Sequence, residues 1–327
     1  MSERDHCPDV QTSTEPGPQR DHLWAVVLAG GQGVRLRPLA RRVCGDDRPK
    51  QYVPLLGSRT LLGQTLDRVA LLVPPVRTAV VSVQGHVAYV GRECSGPHAP
   101  RVLVQPGDRG TAAGILFPVH WISWRDPEAT VAVFPSDHFV LEEAAFMAHV
   151  ASVAAWVDEH PEEIVLLGAE PSGPEVEYGW IEAGEAVGQM EGGVIYRVRR
   201  FWEKPSPEGA RACLAAGCLW NTLVVVAKVR TLLRVGREQL PELSDRLTLI
   251  GRFAGTEEEP WAIRQAFAYM PAANFSRAIL EPRAASLAVS ELPPLTWSDL
   301  GTPRRVFELL SRARIEPAWL VASDRPA

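Results

Sequence analysis

The sequence predicts an α/β fold built on a mainly parallel sheet with helices on both faces, accompanied by a smaller subdomain. Three observations carry this expectation. Leu23–Ala29 is a short, continuously apolar run, and further apolar-rich runs follow at Thr78–Val83, Arg101–Gln105, Thr130–Phe134 and Ile164–Ala169, as in the buried strands of parallel sheets. Segments of helical character lie between them, and strand–helix alternation is the signature of a sheet covered by helices. From Tyr178 onward the texture changes to strands that read as a lid or substrate subdomain.

The elements follow in order. Met1–His22 is polar, carries charges of both signs and lacks the apolar stretch of a signal peptide, so it reads as a disordered extension, with order beginning near Leu23. Leu23–Ala29 is the first strand and ends in Gly30-Gly31. Leu61–Leu72, Thr111–Ser123 and Ala144–Asp158 read as helices, the second with Ile115, Val119 and Ile122 on one face. Tyr178–Ala183, Val194–Trp202 and Leu219–Ala227 are strands of the subdomain, which spans about residues 170–295 within a domain covering 23–302. Lys228–Pro271 reads as helices and loops with an acidic turn at Glu257–Glu259, and Pro294–Trp297 is a short connection leading into Asp299. Pro303–Ile315 is an amphipathic helix with Val306, Leu309 and Leu310 on one face, so 303–327 forms a short carboxyl-terminal helix and tail.

Composition narrows the function. A chain that is 46% hydrophobic and 22% charged has the apolar mass for a large core or two modest ones. Its formal net charge of -5 argues against general nucleic-acid binding, which usually shows a strongly basic face, but leaves open a nucleoside triphosphate held by a few local cations. The five cysteines are scattered, odd in number and form no C-x-x-C pair, which speaks against zinc and for reduced thiols in a cytoplasm. No apolar run approaches the length of a membrane span, so a soluble cytoplasmic protein without a membrane partner is expected.

The chemistry concentrates in a few short stretches. In Leu28–Pro38, glycines remove the Cβ atoms that would keep backbone away from a phosphate, and successive N–H groups then line an anionic site. Leu36 stands where a dinucleotide loop needs its third glycine, and the Gly-Lys-Ser/Thr of a P-loop is absent. What remains is a glycine turn followed by a cation, Arg35. Arg48-Pro-Lys-Gln51 follows within reach of one loop, with Lys50 as a point charge; alone, such a lysine is merely solvated, and it gains weight from its company. Phe134-Pro-Ser-Asp-His138 follows a buried strand directly, which places Asp137 well for a divalent cation, and Asp299 in Trp297–Gly301 is a second candidate. Either aspartate alone would equally suit a helix or turn cap.

Taken in order, Gly30-Gly31-x-Gly33-x-Arg35-Leu36, Pro49-Lys50-Gln51, Phe134–His138, Tyr178-Gly-Trp-Ile-Glu182, Glu203-Lys204-Pro205, Trp220-Asn221 and Trp297-Ser-Asp299-x-Gly301 resemble the sugar-1-phosphate nucleotidylyltransferases, and within them the mannose-1-phosphate guanylyltransferases. The resemblance runs from about Trp24 to about Gly301. Gln105-Pro-Gly-Asp-Arg109-Gly-Thr111-Ala-Ala-Gly-Ile115 is similar to a signature of the guanylyl branch, retaining Arg109 and Thr111 and departing at Gln105, Gly110, Ala113 and Gly114.

The resemblance implies a Rossmann-like fold of the nucleotide-diphospho-sugar transferase type. It also implies transfer of a nucleotidyl group from GTP, or another nucleoside triphosphate, to a sugar-1-phosphate, with Mg²⁺ as cofactor and pyrophosphate released. On this resemblance Arg35 and Lys50 neutralise the triphosphate, and Asp137 and Asp299 hold Mg²⁺. Gly30, Gly31 and Gly33 pack against nucleotide, and Arg109 and Thr111 help hold base or ribose. Lys204 binds the sugar's phosphate, while Glu182, Glu203 and Asn221 bind its hydroxyls. His138 is expected to support the site rather than act as a base, and a homodimer is compatible with the sequence. The alternatives are another sugar-nucleotide pyrophosphorylase with a different sugar or base, and a catalytically silent regulatory homologue; the latter is disfavoured because the charged residues are retained together. On the resemblance, departures gather on the sugar side and at the carboxyl end: Leu223 stands for a glycine, Ser276 for an aspartate, Pro282 for a lysine, and Gly301-Thr302-Pro303 for Gly-Ser-Trp.

Overall fold

The computed structural model describes residues 21–321. Four strands, β1 (Leu23–Leu28), β2 (Thr78–Val83), β3 (Arg101–Gln105) and β4 (Thr130–Pro135), run parallel in the order β3-β2-β1-β4. Their connections carry α1 (Arg37–Cys44), α2 (Leu61–Ala70), α3 (Val87–Glu93) and α4 (Gly110–Ser123). Neighbouring residues of β1 divide between two cores. Trp24 and Val26 pack with Ile115, Val119 and Ile122 of α4, whereas Ala25 and Val27 pack with Leu62 and Val69 of α2 and with Val150 and Val153 of α5 (Glu143–Glu159). A strand buried on both faces needs apolar residues at every position, hence the unbroken run in the sequence.

The later strands join the same sheet rather than a separate one. After the short β5 (Phe139–Val140) come β6 (Ile164–Ala169), β7 (Gly179–Met190), β8 (Gly193–Glu203), β9 (Leu219–Lys228) and β10 (Ala288–Glu291), giving a nine-stranded order β3-β2-β1-β4-β9-β6-β10-β8-β7. The strand predicted over Leu219–Ala227 thus runs antiparallel in the middle, between β4 and β6, while its first residues also pair with β7. Helix α6 (Pro207–Ala215) precedes it, and α7 (Val229–Gln239), α8 (Pro241–Gly251) and α9 (Glu259–Ala268) follow and complete the α4 face. Strand β10 is not expected from the sequence, being only four residues of modest apolarity.

Two local arrangements set up the site. Strand β11 (Trp297–Ser298) pairs antiparallel with β5, Ser298 opposite Phe139, which carries Asp299 to the region of Asp137. The carboxyl-terminal helix α10 (Pro303–Ala313) is not an appendage. Its Val306, Leu309 and Leu310 form a third core with Leu36, Leu39, Ala40, Val53 and Leu55, and Trp319 of α11 (Ala318–Val321) donates to the Leu55 carbonyl at 3.0 Å. The segment after the glycine turn is therefore clamped by the end of the chain.

Residues 1–20 of the predicted extension lie outside the described residues, but His22, grouped with it by its polarity, contacts Asp126 at 2.8 Å. Cys44, Cys94, Cys213 and Cys218 are free, and Cys7 lies outside the described residues. Among the described residues no helix is long and apolar enough to cross a membrane.

Candidate active site

Parallel sheets present ligands at the carboxyl ends of their strands, where loops diverge and backbone groups are unpaired. Here β1 ends in the glycine turn. Gly33 has φ +56°, and a Cβ there would lie 2.7 Å from the Lys50 backbone nitrogen, so only glycine lets the turn approach the Lys50 segment. That segment grips the turn in return. Gln51 Nε2 donates to the carbonyls of Ala29 at 3.1 Å and Gly31 at 2.8 Å, and the Tyr52 hydroxyl donates to Ala29 at 2.9 Å. Gln51 and Tyr52 are not among the expected site residues, although they directly follow Lys50.

Two cavities flank the turn. One, of about 160 Å³, is lined by Gly30, Gly31, Gln105, Asp108, Thr111 and Gly114 among others. A Cβ on Gly31 would meet nothing within 4 Å, so the backbone there faces open space. The other, of about 250 Å³, is lined by Gly33, Val34, Arg35, Leu36, Lys50, Asp137 and Gly301. Lys50 is buried, and its ammonium lies 3.2 Å from Asp137 Oδ2 while donating to the Asp299 carbonyl at 2.5 Å.

Asp299 makes several contacts within the chain. Its Oδ1 accepts from the Tyr178 hydroxyl at 2.5 Å, Gly301 N at 2.9 Å and Arg305 Nη1 at 3.0 Å. Arg305, from the first turn of α10, also pairs with Glu175 and lies over the Tyr178 ring, 4.6 Å from its centroid. Burial pushes the Asp299 carboxyl up, but the Tyr178 hydrogen bond and the charges of Lys50 and Arg305 together hold it below its ordinary value. Burial and the adjacent Asp299 push the Tyr178 phenol up, which keeps it a donor. Nothing in the local sequence marks Arg305, which reads as an ordinary helix residue.

His138 is neutral. Burial takes its pKa down to about 4, its Nε2 lies 3.8 Å from Asp137, and its ring stands edge-on to Trp297 at 5.3 Å. Among the described residues no group of three or more His, Cys, Asp or Glu side chains forms a metal site. Magnesium in phosphate chemistry needs only one or two carboxylates beside phosphate oxygens and water. Asp137, on the wall of the second cavity and 3.2 Å from the Lys50 ammonium, fits that role; the Asp299 carboxylate accepts from three donors of the chain itself.

Where the ends of β7, β8 and β9 meet, a Cβ on Gly179 would fall 3.1 Å from Glu203 Oε2 and 3.2 Å from Asn221 Cβ, so these three residues meet closely. Lys204 follows with φ +55° and donates its backbone N–H to the Tyr178 carbonyl at 3.2 Å. Burial pushes the Glu203 carboxyl up, against Lys204 and a hydrogen bond from Ser276, the residue standing for an aspartate. Leu223 has φ +60°, so the glycine-type backbone persists although leucine occupies it, and Asn221 Oδ1 accepts from Leu223 N at 3.1 Å. With Leu300 at φ +48°, three of the four non-glycine residues of positive φ among the described residues lie at this site; such strain collects where surrounding structure over-determines the backbone.

Three further expected residues have partners within the chain. Glu182 shares its face of β7 with buried Trp180, opposite in strand parity to Gly179, and its carboxylate accepts from Arg199 at 3.1 Å rather than joining Glu203 and Asn221. Arg109 donates to the Phe267 and Ala268 carbonyls at 2.9 and 3.2 Å, capping the end of α9. Thr111 lines the 160 Å³ cavity, but its hydroxyl accepts from Phe275 N at 2.8 Å.

Comparison with known proteins agrees with this geometry. Residues 24–314 match the nucleotidyl transferase family. The xanthan biosynthesis protein XanB of Xanthomonas campestris pv. campestris (strain B100) is 29% identical over 286 residues, covering 85% of this chain and 57% of that protein. The mannose-1-phosphate guanylyltransferase of Escherichia coli (strain K12) is 27% identical over 297 residues, covering 88% and 59% respectively; this chain thus spans somewhat more than half the length of these relatives. A solved structure described as mannose-1-phosphate geranyltransferase from Thermus thermophilus superposes with a TM-score of 0.76 at 31% identity, covering 88% of this chain and 79% of that one. The glycine turn, the strand-end cavities and a family match across nearly all of the described chain lead to one assignment: this protein belongs to the nucleotidyl transferase family.

Proposed function

We propose that this protein transfers a nucleotidyl group from a nucleoside triphosphate, GTP in the first instance, to mannose-1-phosphate, in the cytoplasm. The observation that carries the reading is the Lys50–Asp137 pair at 3.2 Å, in a cavity that also takes in Gly33 and Arg35. Relatives named mannose-1-phosphate guanylyltransferase support the choice of substrates.

In this reading an oxygen of the sugar phosphate attacks the α-phosphorus, the bond to the pyrophosphate oxygen breaks, and pyrophosphate leaves. The attacking group is already anionic, so no protein nucleophile or base is required. The work lies in positioning and charge neutralisation. Gly30 and Gly31 admit the nucleotide to the 160 Å³ cavity, Arg35 and Lys50 meet the triphosphate, and Lys204 meets the sugar phosphate. Glu203 and Asn221 receive sugar hydroxyls. A magnesium ion, when bound, supplies further neutralisation of the phosphate oxygens and would be held by Asp137; Asp299, tied to Arg305 and Tyr178, orders the wall behind Lys50.

A second reading, another base or sugar, is favoured by two observations. Gln105, whose buried Oε1 has no partner among the described residues, lines the cavity assigned to the base. Leu223 adds bulk beside Asn221. Pyrophosphate release measured with four nucleoside triphosphates against a panel of sugar-1-phosphates in Mg²⁺ decides between them. Highest turnover with GTP and mannose-1-phosphate is expected. A clear preference for dTTP or UTP overturns the guanylyl assignment, and binding of a nucleotide-sugar without turnover points to a regulatory homologue.

A further inference from the structure

The loop between β6 and β7 carries a carboxylate that belongs to none of the motifs. Glu177 Oε2 accepts from Arg35 Nη1 at 2.9 Å and lies 3.8 Å from Lys204 Nζ. Arg35 comes from the glycine turn and Lys204 from the end of β8, far apart in sequence and on opposite sides of the Lys50–Asp137 cavity in role. One carboxylate oxygen therefore gathers the cation assigned to the triphosphate and the cation assigned to the sugar phosphate.

The surroundings hold Glu177 in place. Glu175, two residues earlier, is anchored by Arg305, and Tyr178, the next residue, donates to Asp299 and accepts from Lys204 N at 3.2 Å. The pairs themselves are open to water: the Arg35, Glu177 and Lys204 side chains are 50%, 42% and 47% exposed. Exposed ion pairs are weak and exchange readily for a stronger anion. A carboxylate set between two phosphate-binding cations resembles a phosphate in charge and in acceptor geometry.

We propose that Glu177 is a positioning residue that stands in for substrate phosphate. In the substrate-free protein it holds Arg35 and Lys204 toward one another, and the incoming phosphates displace it. The consequence is a competition: Glu177 keeps the cations ordered but opposes every anion that binds them. This rests on the reading that Arg35 and Lys204 bind phosphates.

The test is calorimetric titration of the full chain with inorganic pyrophosphate at low salt, for the unaltered protein, Glu177→Gln and Arg35→Ala. Removing two exposed pairs should tighten pyrophosphate binding by roughly two- to tenfold in Glu177→Gln. That gain should shrink in high salt, where exposed charges are screened, and the KM for both substrates should fall while kcat does not rise. A residue that merely braced the loop would lower the melting temperature and weaken binding instead. Folded Glu177→Gln with unchanged or weaker pyrophosphate affinity, in a protein whose binding is lost in Arg35→Ala, overturns the role of Glu177 alone. Pyrophosphate affinity that survives intact in Arg35→Ala overturns the phosphate-binding reading of Arg35, and this inference with it.

Discussion

Gly31 and Gly33 stand two residues apart in one loop, yet the structure gives them opposite environments. A methyl at Gly31 meets nothing within 4 Å, whereas at Gly33 it lies 2.7 Å from the Lys50 backbone nitrogen on a backbone of φ +56°. Gly33→Ala therefore carries left-handed strain of roughly 1–2 kcal/mol and overpacking of about 1–3 kcal/mol, because the obstructing atom is backbone and cannot swing aside. A loss of roughly 2–5 kcal/mol should lower the melting temperature by roughly 5–15 °C in a domain of this size. Gly31→Ala should leave stability within about 0.5 kcal/mol. Its effect should fall on function, since the methyl enters the open space that the proposed function gives to the nucleotide. A clash of about 1–3 kcal/mol corresponds to a rise of roughly five- to a hundredfold in the KM for the triphosphate. Thermal melts of both variants, with pyrophosphate release measured at saturating sugar phosphate while the triphosphate is varied, separate the two effects. A Gly31→Ala protein with an unaltered KM for every triphosphate would refute the reasoning, because the open space beside Gly31 would then not be where nucleotide lies.

Asp299→Asn tests whether that residue holds metal or structure. The Arg305 and Asp299 side chains are only 12% and 13% exposed, so unpairing them should cost on the order of 3 kcal/mol and lower the melting temperature while the Mg²⁺ dependence of activity stays in place. An unchanged melt with a strongly raised Mg²⁺ requirement would show the opposite. Part of the pH dependence of stability comes from two histidines remote from the site: burial pushes His120 and His149 down to about 4, against about 6.5 in an unfolded chain. Their contribution is complete above about pH 6.5 and is lost as pH falls toward 4, because the unfolded chain takes up protons first; at pH 5 this amounts to on the order of 2 kcal/mol for each. Melts between neutral pH and pH 5 should show this slope, and a His120→Gln, His149→Gln double variant that retains it in full would sink the assignment.

Strands β1 to β4 and β6, helices α2, α4 and α5, and the glycine turn were all legible in the sequence, because each is dictated by neighbouring residues. A strand buried on both faces is mainly apolar along its whole length, and a turn that presses against another backbone at positive φ calls for glycine. Lys50 and Asp137 stand out in the sequence only through the company of the other motifs, and the structure brings the two side chains within 3.2 Å of each other. What the tertiary structure alone decided were partnerships between segments distant in the chain. It placed β9 between β4 and β6, although its apolar run fits equally well in a separate subdomain. It paired Glu182 with Arg199, beside a register shift in the β7–β8 pairing, and it set Arg109 against the carbonyls of α9. It committed the Asp299 carboxylate to Arg305, and it set Glu177 between Arg35 and Lys204. Side-chain chemistry marks a residue as able to bind a phosphate or a metal, but only the folded chain shows whether another part of the same chain has already taken it up.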